Sequence, residues 1–329
     1  MTTLEKDMRI YHGIRGDKFK TLIRDVLSLG GLTEPYVSVL LDNEENFRLY
    51  EQVFTHKTAD PVFNYECMEF LGDVTLNKSI AWYLARRFPQ LTCASGVKIL
   101  TRLKINLVSK KSFAIFAKTL KFWNFVSADM ETRTLKMDKT LEDVFEAFFG
   151  ATEMLLDNNV QIHCGYNTCY RIVEKLLNDT NISLKYDHLF DAKTRLKELF
   201  DQYKDTLGAV KYTSVRDKDD GKHHVTIHRI FPVQNTNNNV NKDVVIRNLM
   251  TDINNARQSR RQIPMQTIYN TLTSIQKNPK MNENGKPICS ASGHLKATAE
   301  QRAAEEALTI LEKEGFKRLL PPDYEFFCT

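Results

Sequence analysis

Long apolar runs are missing from this sequence. No stretch reaches the roughly 18 apolar residues of a membrane-spanning helix, and the first residues mix charges of both signs without an apolar core, so we expect no signal peptide. Cysteine is sparse, with six residues dispersed over 329, which is typical of reduced thiols and not of a disulfide framework. These absences predict an intracellular protein, cytoplasmic or nuclear, that is not secreted and has no membrane partner.

A zinc site is also disfavoured. His163, Cys164 and Cys169 are spaced like metal ligands, but no second ligand pair lies nearby in the sequence. The net charge of +5 and the pI of about 8.7 permit a polyanionic partner without requiring one. The length of 329 residues favours two or three domains.

Three acids stand out in an otherwise apolar segment, residues 64–76. Glu66, Glu69 and Asp73 follow a spacing of i, i+3 and i+7, which places their carboxylates on one face of a helix. The remaining positions are largely apolar, so we expect this helix to be buried on nearly all sides. Buried like charges repel and lose hydration, and therefore require Arg or Lys partners or a metal ion.

A second segment, residues 141–157, combines acids and apolar residues in the same way. Asp143 and Glu146 share a helical face, whereas Glu142 points about 100° away and is expected to face solvent. Helical spacing recurs before and between these segments, and residues 128–139 are interpreted as a polar surface loop. The other predicted helices are 19–32, 46–58, 97–108, 112–125 and 166–177.

The pattern changes after a polar linker at residues 179–187. We predict a helical extension over 1–45, an all-α domain over 46–178, an α-β-β-β-α domain over 188–315 and a tail over 316–329. The last domain is interrupted at about 232–284, between its second and third strands, by an Asn-rich insertion in which 244–253 and 268–275 could form helices. Its predicted elements are helices 192–203 and 297–313 and strands 209–216, 223–231 and 287–291.

The first acidic segment closely resembles the signature N-E-R-L-E-F-L-G-D of the ribonuclease III family. The core from Glu69 to Asp73 is intact, and Tyr65 stands where the signature has asparagine. Thr55-His56-Lys57-Thr58 resembles the family's T-H-R-S, and residues 100–109 resemble its L-T-R-L-R…L-V-S. Asp143-Val144-Phe145-Glu146-Ala147 matches its second motif, D-x-x-E-A. Several matches in order over residues 55–151 make chance an inadequate explanation.

The C-terminal domain resembles a double-stranded-RNA-binding domain. Residues 191–198 are similar to that family's D-x-K-T-x-L-Q-E helix, 221–224 to its G-P-x-H loop, and 293–301 to its G-x-S-K-K-x-A-E-Q. Leu295 replaces the serine and Ala297 replaces the second lysine, so we expect weaker affinity for RNA or additional help in binding it. Arg260 and Arg261, in the insertion, could supply the missing charge, although a solvated surface is the simpler interpretation.

Together these resemblances imply a mainly α protein, a ribonuclease III endonuclease domain followed by a double-stranded-RNA-binding domain. They imply a homodimer that cleaves double-stranded RNA with Mg²⁺, or with Mn²⁺ in its place, and leaves 5′-phosphate and 3′-hydroxyl ends with short 3′ overhangs. Glu66 would have an accessory role and Phe70 would contact the partner subunit. The implied metal ligands and catalytic residues are Glu69, Asp73, Asp143 and Glu146. The implied RNA contacts are Thr194, Lys197, Glu198, His224 and Lys296.

Two alternatives remain at this point. The chain could be a non-catalytic RNA-binding protein on the same fold, or its acids could be salt-bridged to Arg86, Arg87 or Arg102. The absence of helicase and nucleotide-binding motifs argues against a large Dicer-like machine. Ribosomal RNA maturation, small-RNA production and destruction of duplex RNA in a virus-related setting all fit as pathways.

Overall fold

The computed structural model describes residues 9–231 and 285–327. The chain divides into two compact units, residues 1–189 with 320–329, and residues 190–319. Within the described ranges, no helix combines the length and the apolar character needed to cross a membrane.

The first unit is built almost entirely of helices. They are α1 Asp17–Leu29, α2 Tyr36–Leu41, α3 Glu44–Val53, α4 Glu66–Arg87, α5 Val97–Leu107, α6 Lys110–Thr119, α7 Met130–Leu135, α8 Met137–Asn159, α9 Cys164–Asn178, α10 Tyr186–Leu189 and α14 Pro322–Phe327. Two residues each form β1 (Ile10–Tyr11) and β2 (Ala128–Asp129), which pair antiparallel. The expectation that every element of this region is helical is therefore wrong in this detail.

The long helices α4 and α8 form the centre of the first unit. They pack along each other, and α3, α6 and α9 pack against α8. Phe145, Phe148 and Phe149 of α8 are buried completely or nearly so, and their rings contact Phe113, Phe122 and Tyr50 from neighbouring elements. Aromatic burial on this scale is a large hydrophobic contribution to stability.

The N-terminal segment belongs to this core. The helix predicted at 19–32 is confirmed as α1, which ends at Leu29 with Gly30 as its C-cap, and Gly31 follows with a positive φ of 76°. The short helix α2 was not predicted. Phe19 of α1 is fully buried, with its ring centroid 5.0 Å from that of Phe54 and 5.7 Å from that of Phe47.

Several predicted boundaries are wrong. The helix expected over 46–58 ends at Val53, because the next residues leave the helix and Thr55 bridges to Ser127. The helix expected over 112–125 is α6, which ends at Thr119 before Lys121 adopts a left-handed conformation. The surface loop expected over 128–139 instead contains β2, α7 and the start of α8, because Asp129 caps α7 by accepting a hydrogen bond from the Thr132 N–H.

The composition of α4 predicted a helix that is buried on nearly all sides, but one side of α4 is exposed. Phe70 is 73% exposed, Val74 61% and Trp82 53%, while Met68, Leu76 and Ile80 are buried. Only one side of α4 packs against α8 and its neighbours, so apolar residues on the opposite side remain in solvent. An exposed apolar surface of this kind is typical of an interaction site.

The second unit contains a three-stranded antiparallel sheet in the order β3-β4-β5. Its elements are α11 Ala192–Gln202, α12 Lys204–Leu207, β3 Ala209–Arg216, β4 His223–Ile230, β5 Lys286–Gly293 and α13 Lys296–Lys313. Leu196, Leu199 and Phe200 of α11 share a core with Val225 and Ile227 of β4 and with the alanines of α13. Apart from the short α12, the order helix, three strands, helix agrees with the sequence prediction.

The predicted insertion lies between β4 and β5. The described residues do not include 232–284. This segment contains the predicted helices 244–253 and 268–275 and the pair Arg260 and Arg261. Antiparallel pairing of Arg229 with Lys286 brings the ends of the flanking strands side by side.

Beyond α13, the second unit continues to Leu319, where Phe316 packs edge-on against Tyr203 with ring centroids 5.2 Å apart. The predicted linker at 179–187 overlaps the start of α10, and Tyr186 of α10 contacts Tyr324 of α14 with ring centroids 5.7 Å apart.

Candidate active site

The crossing of α4 and α8 places the two acidic segments together. A Cβ atom on Gly72 would lie 1.7 Å from the Glu146 carbonyl oxygen, and one on Gly150 would lie 2.3 Å from the Met68 carbonyl oxygen. The backbones of the two helices are thus in direct contact, which only glycine permits at these positions. This close approach brings acids of α4 to within a few ångströms of acids of α8.

Three of the four predicted metal ligands form one cluster. Carboxylate oxygens of Glu69, Asp143 and Glu146 all lie within 4.8 Å of one another. Asp73 is exposed at the edge of this cluster, and its Oδ1 accepts a hydrogen bond of 2.8 Å from Asn77 Nδ2. Its charge still contributes to the electrostatics of Glu146.

Burial and like charges make two of these acids hard to ionise. Burial raises the pKa of Glu69 to about 7, with a further contribution from the charge of Asp143. Burial also raises the pKa of Glu146 to about 8, with a further contribution from Asp73. In the metal-free protein at neutral pH, both carboxyls are therefore partly protonated.

A lysine that the sequence analysis did not identify reaches this cluster. Lys139 Nζ lies 2.5 Å from Asp143 Oδ1, 3.5 Å from Glu142 Oε2 and 3.8 Å from Glu69 Oε1. Burial alone would lower the pKa of Lys139, but contact with Asp143 and the charges of Glu142 and Glu69 raise it above its usual range. Its position four residues before Asp143 would have indicated this contact on a helix, but residue 139 was assigned to the predicted surface loop.

The three arginines considered as partners have other contacts. The Arg86 guanidinium lies over the ring of Tyr170, Arg87 donates a hydrogen bond to Tyr83 Oη, and Arg102 Nε donates one to the Leu189 carbonyl oxygen. Among the residues that the structure describes, the cation that pairs with the clustered acids is Lys139.

Glu142 was expected to face solvent, but most of its side chain is buried. Its side chain is 16% exposed, and burial raises its pKa. Helix α8 packs against several neighbours, so a position 100° from Asp143 is still enclosed.

The donor set fits a divalent cation. The buried Asp143 Oδ1 receives no well-aligned hydrogen bond, although the Lys139 ammonium is close. A buried carboxylate oxygen without a hydrogen bond is costly unless a positive charge is nearby. Together with Glu69 and Glu146, Asp143 provides the carboxylate oxygens that Mg²⁺ and Mn²⁺ prefer as ligands.

The part of the chain that carries both acidic helices is similar to known proteins. The model of the ribonuclease III domain matches residues 66–157, which extend from the start of α4 almost to the end of α8. A relative named ribonuclease 3 from Invertebrate iridescent virus 6 is 40% identical over 238 residues, which cover 69% of this chain and 80% of the relative. The chain belongs to the ribonuclease III family. Members of this family are double-stranded-RNA endoribonucleases and are generally metal-dependent.

Two further ribonuclease III proteins illustrate the range of the similarity. A relative named ribonuclease 3 from Frog virus 3 (isolate Goorha) is 41% identical over 177 residues, which cover 53% of this chain and 47% of the relative. The solved nuclease domain of ribonuclease III from Campylobacter jejuni matches 44% of this chain and 98% of its own, with 26% identity and a TM-score of 0.35.

Two residues of the ribonuclease III signature lie outside the acid cluster. Glu66 is exposed and pairs with Lys57 at 2.7 Å. Phe70 extends into solvent from α4. One residue that the sequence analysis noted only as a departure from the signature does reach an acid: the Tyr65 hydroxyl donates a hydrogen bond of 3.0 Å to Asp143 Oδ2.

The predicted RNA contacts lie in the second unit. Thr194 Oγ1 donates a hydrogen bond to Asp191 Oδ2 at 2.8 Å, Lys197 is exposed, and Glu198 Oε2 lies 3.1 Å from Arg318. Lys296 begins α13 and lies 3.9 Å from Glu300.

The remaining predicted RNA contact, His224, belongs to a second group of possible metal ligands. His224 lies at the start of β4, next to the turn after β3, and its Nε2 is 3.7 Å from Asp217 Oδ2. Asp220 completes this group, and Lys222 pairs with Asp220 at 3.0 Å. The group is largely exposed, and Lys222 already supplies it with a positive charge.

Proposed function

We propose that this ribonuclease III hydrolyses phosphodiester bonds of double-stranded RNA with Mg²⁺ ions held by Glu69, Asp73, Asp143 and Glu146, and that Mn²⁺ can replace Mg²⁺. The observation that supports this most directly is the partly buried cluster of Glu69, Asp143 and Glu146, with an Asp143 oxygen that lacks an aligned hydrogen bond. Divalent ions held by these four acids would supply an activated water and offset the charge on the phosphate and the departing oxygen.

The protein contributes a rigid set of oxygen ligands. Glu69 and Asp143 extend from two helices whose backbones touch at Gly72, so their separation is fixed before any ion or RNA binds. Asp73 follows Glu69 by one turn of α4, and its charge acts on Glu146 from the edge of the cluster. We expect ion binding to displace protons from Glu69 and Glu146, because both pKa values are near neutral.

Lys139 has a complementary role in this proposal. Its ammonium supplies positive charge to the clustered acids while no ion is present. Lys139 thereby limits the repulsion between Asp143 and Glu69 in the metal-free enzyme. Glu66 is assigned a supporting role at the rim, where Lys57 holds its carboxylate.

Cleavage of both strands requires a second active site. One chain offers one set of four acids, and a symmetric dimer would place two sets on opposite strands. The exposed Phe70, with Leu71 and Val74 beside it on α4, supports an apolar contact with the partner subunit. Staggered cuts by the two sites would leave 5′-phosphate and 3′-hydroxyl ends with short 3′ overhangs.

The second unit is proposed to bind the RNA duplex. Its order of helix, three antiparallel strands and helix supports a double-stranded-RNA-binding domain, which reads the shape of A-form RNA through the minor groove and phosphates. The proposed contacts are Thr194, Lys197, Glu198, His224 and Lys296. Leu295 is 69% exposed beside Lys296 and offers no hydroxyl, which supports a modest affinity.

Cleavage of a long RNA duplex with Mg²⁺ tests the proposal. The full-length chain should convert the duplex into short fragments with 5′ phosphates, and Glu146→Ala and Asp73→Ala should bind the duplex without cutting it. Glu131→Ala, a change at an exposed acid of α7, serves as the control that retains cleavage. A wild-type protein that binds duplex RNA but never cuts it would refute the proposal.

A further inference from the structure

Tyr65 occupies a fixed position immediately before α4. Its side chain is 3% exposed. Its backbone N–H donates a hydrogen bond of 3.2 Å to the Thr55 carbonyl oxygen, and its own carbonyl oxygen accepts one of 2.9 Å from the Glu69 N–H. The residue is thus anchored on both sides, and its ring extends from the start of α4 towards α8.

The hydroxyl of Tyr65 ends on a proposed metal ligand. It donates a hydrogen bond of 3.0 Å to Asp143 Oδ2, in a buried setting. The family signature has asparagine at this position, whose side chain is several atoms shorter than that of tyrosine. In this chain, tyrosine at this position therefore makes a contact with Asp143 that the shorter side chain would not make in the same way.

Neighbouring side chains hold the phenol ring in place. The His56 ring meets the Tyr65 ring nearly edge-on, with centroids 5.6 Å apart and an angle of 69° between the planes. His56 is itself fixed, because its Nδ1 accepts a hydrogen bond of 3.1 Å from the Thr58 N–H. Thr58 Oγ1 in turn accepts one of 3.1 Å from the Asp129 N–H. A rotation of the Tyr65 ring would break its contact with the His56 ring.

The two oxygens of Asp143 face different partners. Oδ2 accepts the hydrogen bond from Tyr65, and Oδ1 lies 2.5 Å from Lys139 Nζ, the ammonium that also approaches Glu69. The hydrogen bond to Oδ2 therefore fixes the rotation of the carboxylate and directs Oδ1 to the side that it shares with Glu69. Groups that orient a metal ligand in this way commonly change metal affinity or activity by about 10-fold to 100-fold when they are removed.

We propose that Tyr65 is a positioning residue that orients Asp143 for divalent-ion binding. This inference rests on the proposed function of the same site and adds a residue that touches neither the ion nor RNA. Because Tyr65 acts only through Asp143, its removal should weaken ion binding while leaving the affinity for RNA unchanged.

The test compares Tyr65→Phe with wild type in the full-length chain. Isothermal titration calorimetry with Mn²⁺, without RNA, should show affinity about 10-fold lower in the variant. Cleavage of a duplex should show a reduced kcat at low Mg²⁺ that recovers as Mg²⁺ is raised, with an unchanged KM for RNA. A purely structural role for the hydroxyl would not produce this dependence on the ion.

Tyr50→Phe is the matched control. Tyr50 is also fully buried, and its hydroxyl pairs with Thr152 Oγ1 at 3.3 Å, apart from the acid cluster. This control should lose a buried hydrogen bond without a change in Mn²⁺ affinity. If Tyr65→Phe binds Mn²⁺ and cleaves RNA as wild type does, or loses only stability as Tyr50→Phe does, the inference about Tyr65 is overturned while the proposed function stands. A wild type that binds no Mn²⁺ and cuts no RNA would overturn the proposed function itself.

Discussion

Replacing Glu146 with glutamine should stabilise the metal-free protein at alkaline pH. Glutamine preserves the shape of the side chain and removes a negative charge that is buried beside Glu69, Asp143 and Asp73. The folded protein favours the neutral form of Glu146, so its ionisation opposes folding. The substitution is therefore expected to increase the free energy of unfolding while it abolishes the proposed catalysis.

The pKa of Glu146 sets the magnitude and the pH window. The pKa rises from an ordinary 4.5 to about 8 in the folded protein, so the unfolded chain releases the proton first and stability falls as pH rises between these values. At about 1.4 kcal/mol per pH unit, the difference of about 3.5 units between these pKa values gives an upper bound of about 5 kcal/mol. Local relaxation and water at the edge of the cluster reduce this cost, and we expect about 1 to 2 kcal/mol above pH 8.

Urea denaturation in the presence of a chelator measures this effect. Both tryptophans of the chain, Trp82 and Trp123, lie in the first compact unit, so their fluorescence follows the unfolding of the unit that contains the site. The gain in stability of Glu146→Gln should be present at pH 8.5 and nearly absent at pH 5, where the folded protein keeps Glu146 neutral.

The matched control is Glu131→Gln. This residue is exposed in the first turn of α7, and its loss should destabilise the unit by about 0.5 kcal/mol or less at either pH. The reasoning about buried charge would be refuted if Glu146→Gln were no more stable than wild type at pH 8.5. A gain of equal size at pH 5 would also refute it, because that gain could not come from ionisation.

Three further predictions concern other parts of the molecule. Phe70→Ser should shift a dimer to monomer in analytical ultracentrifugation without destabilising the monomer. The control Leu135→Ser, at a residue 72% exposed on α7, should leave the dimer intact. An unchanged dimer in Phe70→Ser would contradict the interface role of Phe70. Gly72→Ala should cost about 3 kcal/mol or more in urea denaturation, because its Cβ would meet the Glu146 carbonyl oxygen at 1.7 Å, and near-native stability would show that the crossing can separate. Deletion of residues 235–282 should leave the far-UV circular dichroism of a folded second unit, because Arg229 already pairs with Lys286 and closing the loop costs little; loss of folding would show that the segment is structural.

Residue order alone gave a reliable account of the second unit. Its strands are short runs with β-branched residues, the first two separated by a D-K-D-D-G turn, and its helices repeat apolar residues every three to four positions, so these segments were placed within a few residues. Predictions in the first unit were less accurate where capping decided the boundary. Asp129 caps the start of α7 by accepting a hydrogen bond from the Thr132 N–H. It lies in a segment whose polarity indicated a surface loop. The polar composition of a segment indicates only its average exposure, whereas the start of a helix can depend on a single capping hydrogen bond.

The sequence by itself determined which acids share a helical face, because helical periodicity fixes direction around one axis. The family resemblance implied the four metal ligands, but spacing within one helix could not determine which acids meet an acid from another helix. That depended on the contact of α4 and α8 at Gly72 and Gly150, which unites Glu69 with Asp143 and Glu146 and leaves Glu66 at the surface with Lys57. Tyr65 lies beside Asp143 because the residue before α4 packs against α8, a contact that no spacing within one helix encodes. Lys139 lies four residues before Asp143 on α8, so helical spacing already places it beside that acid, and only the packing of α4 brings it near Glu69.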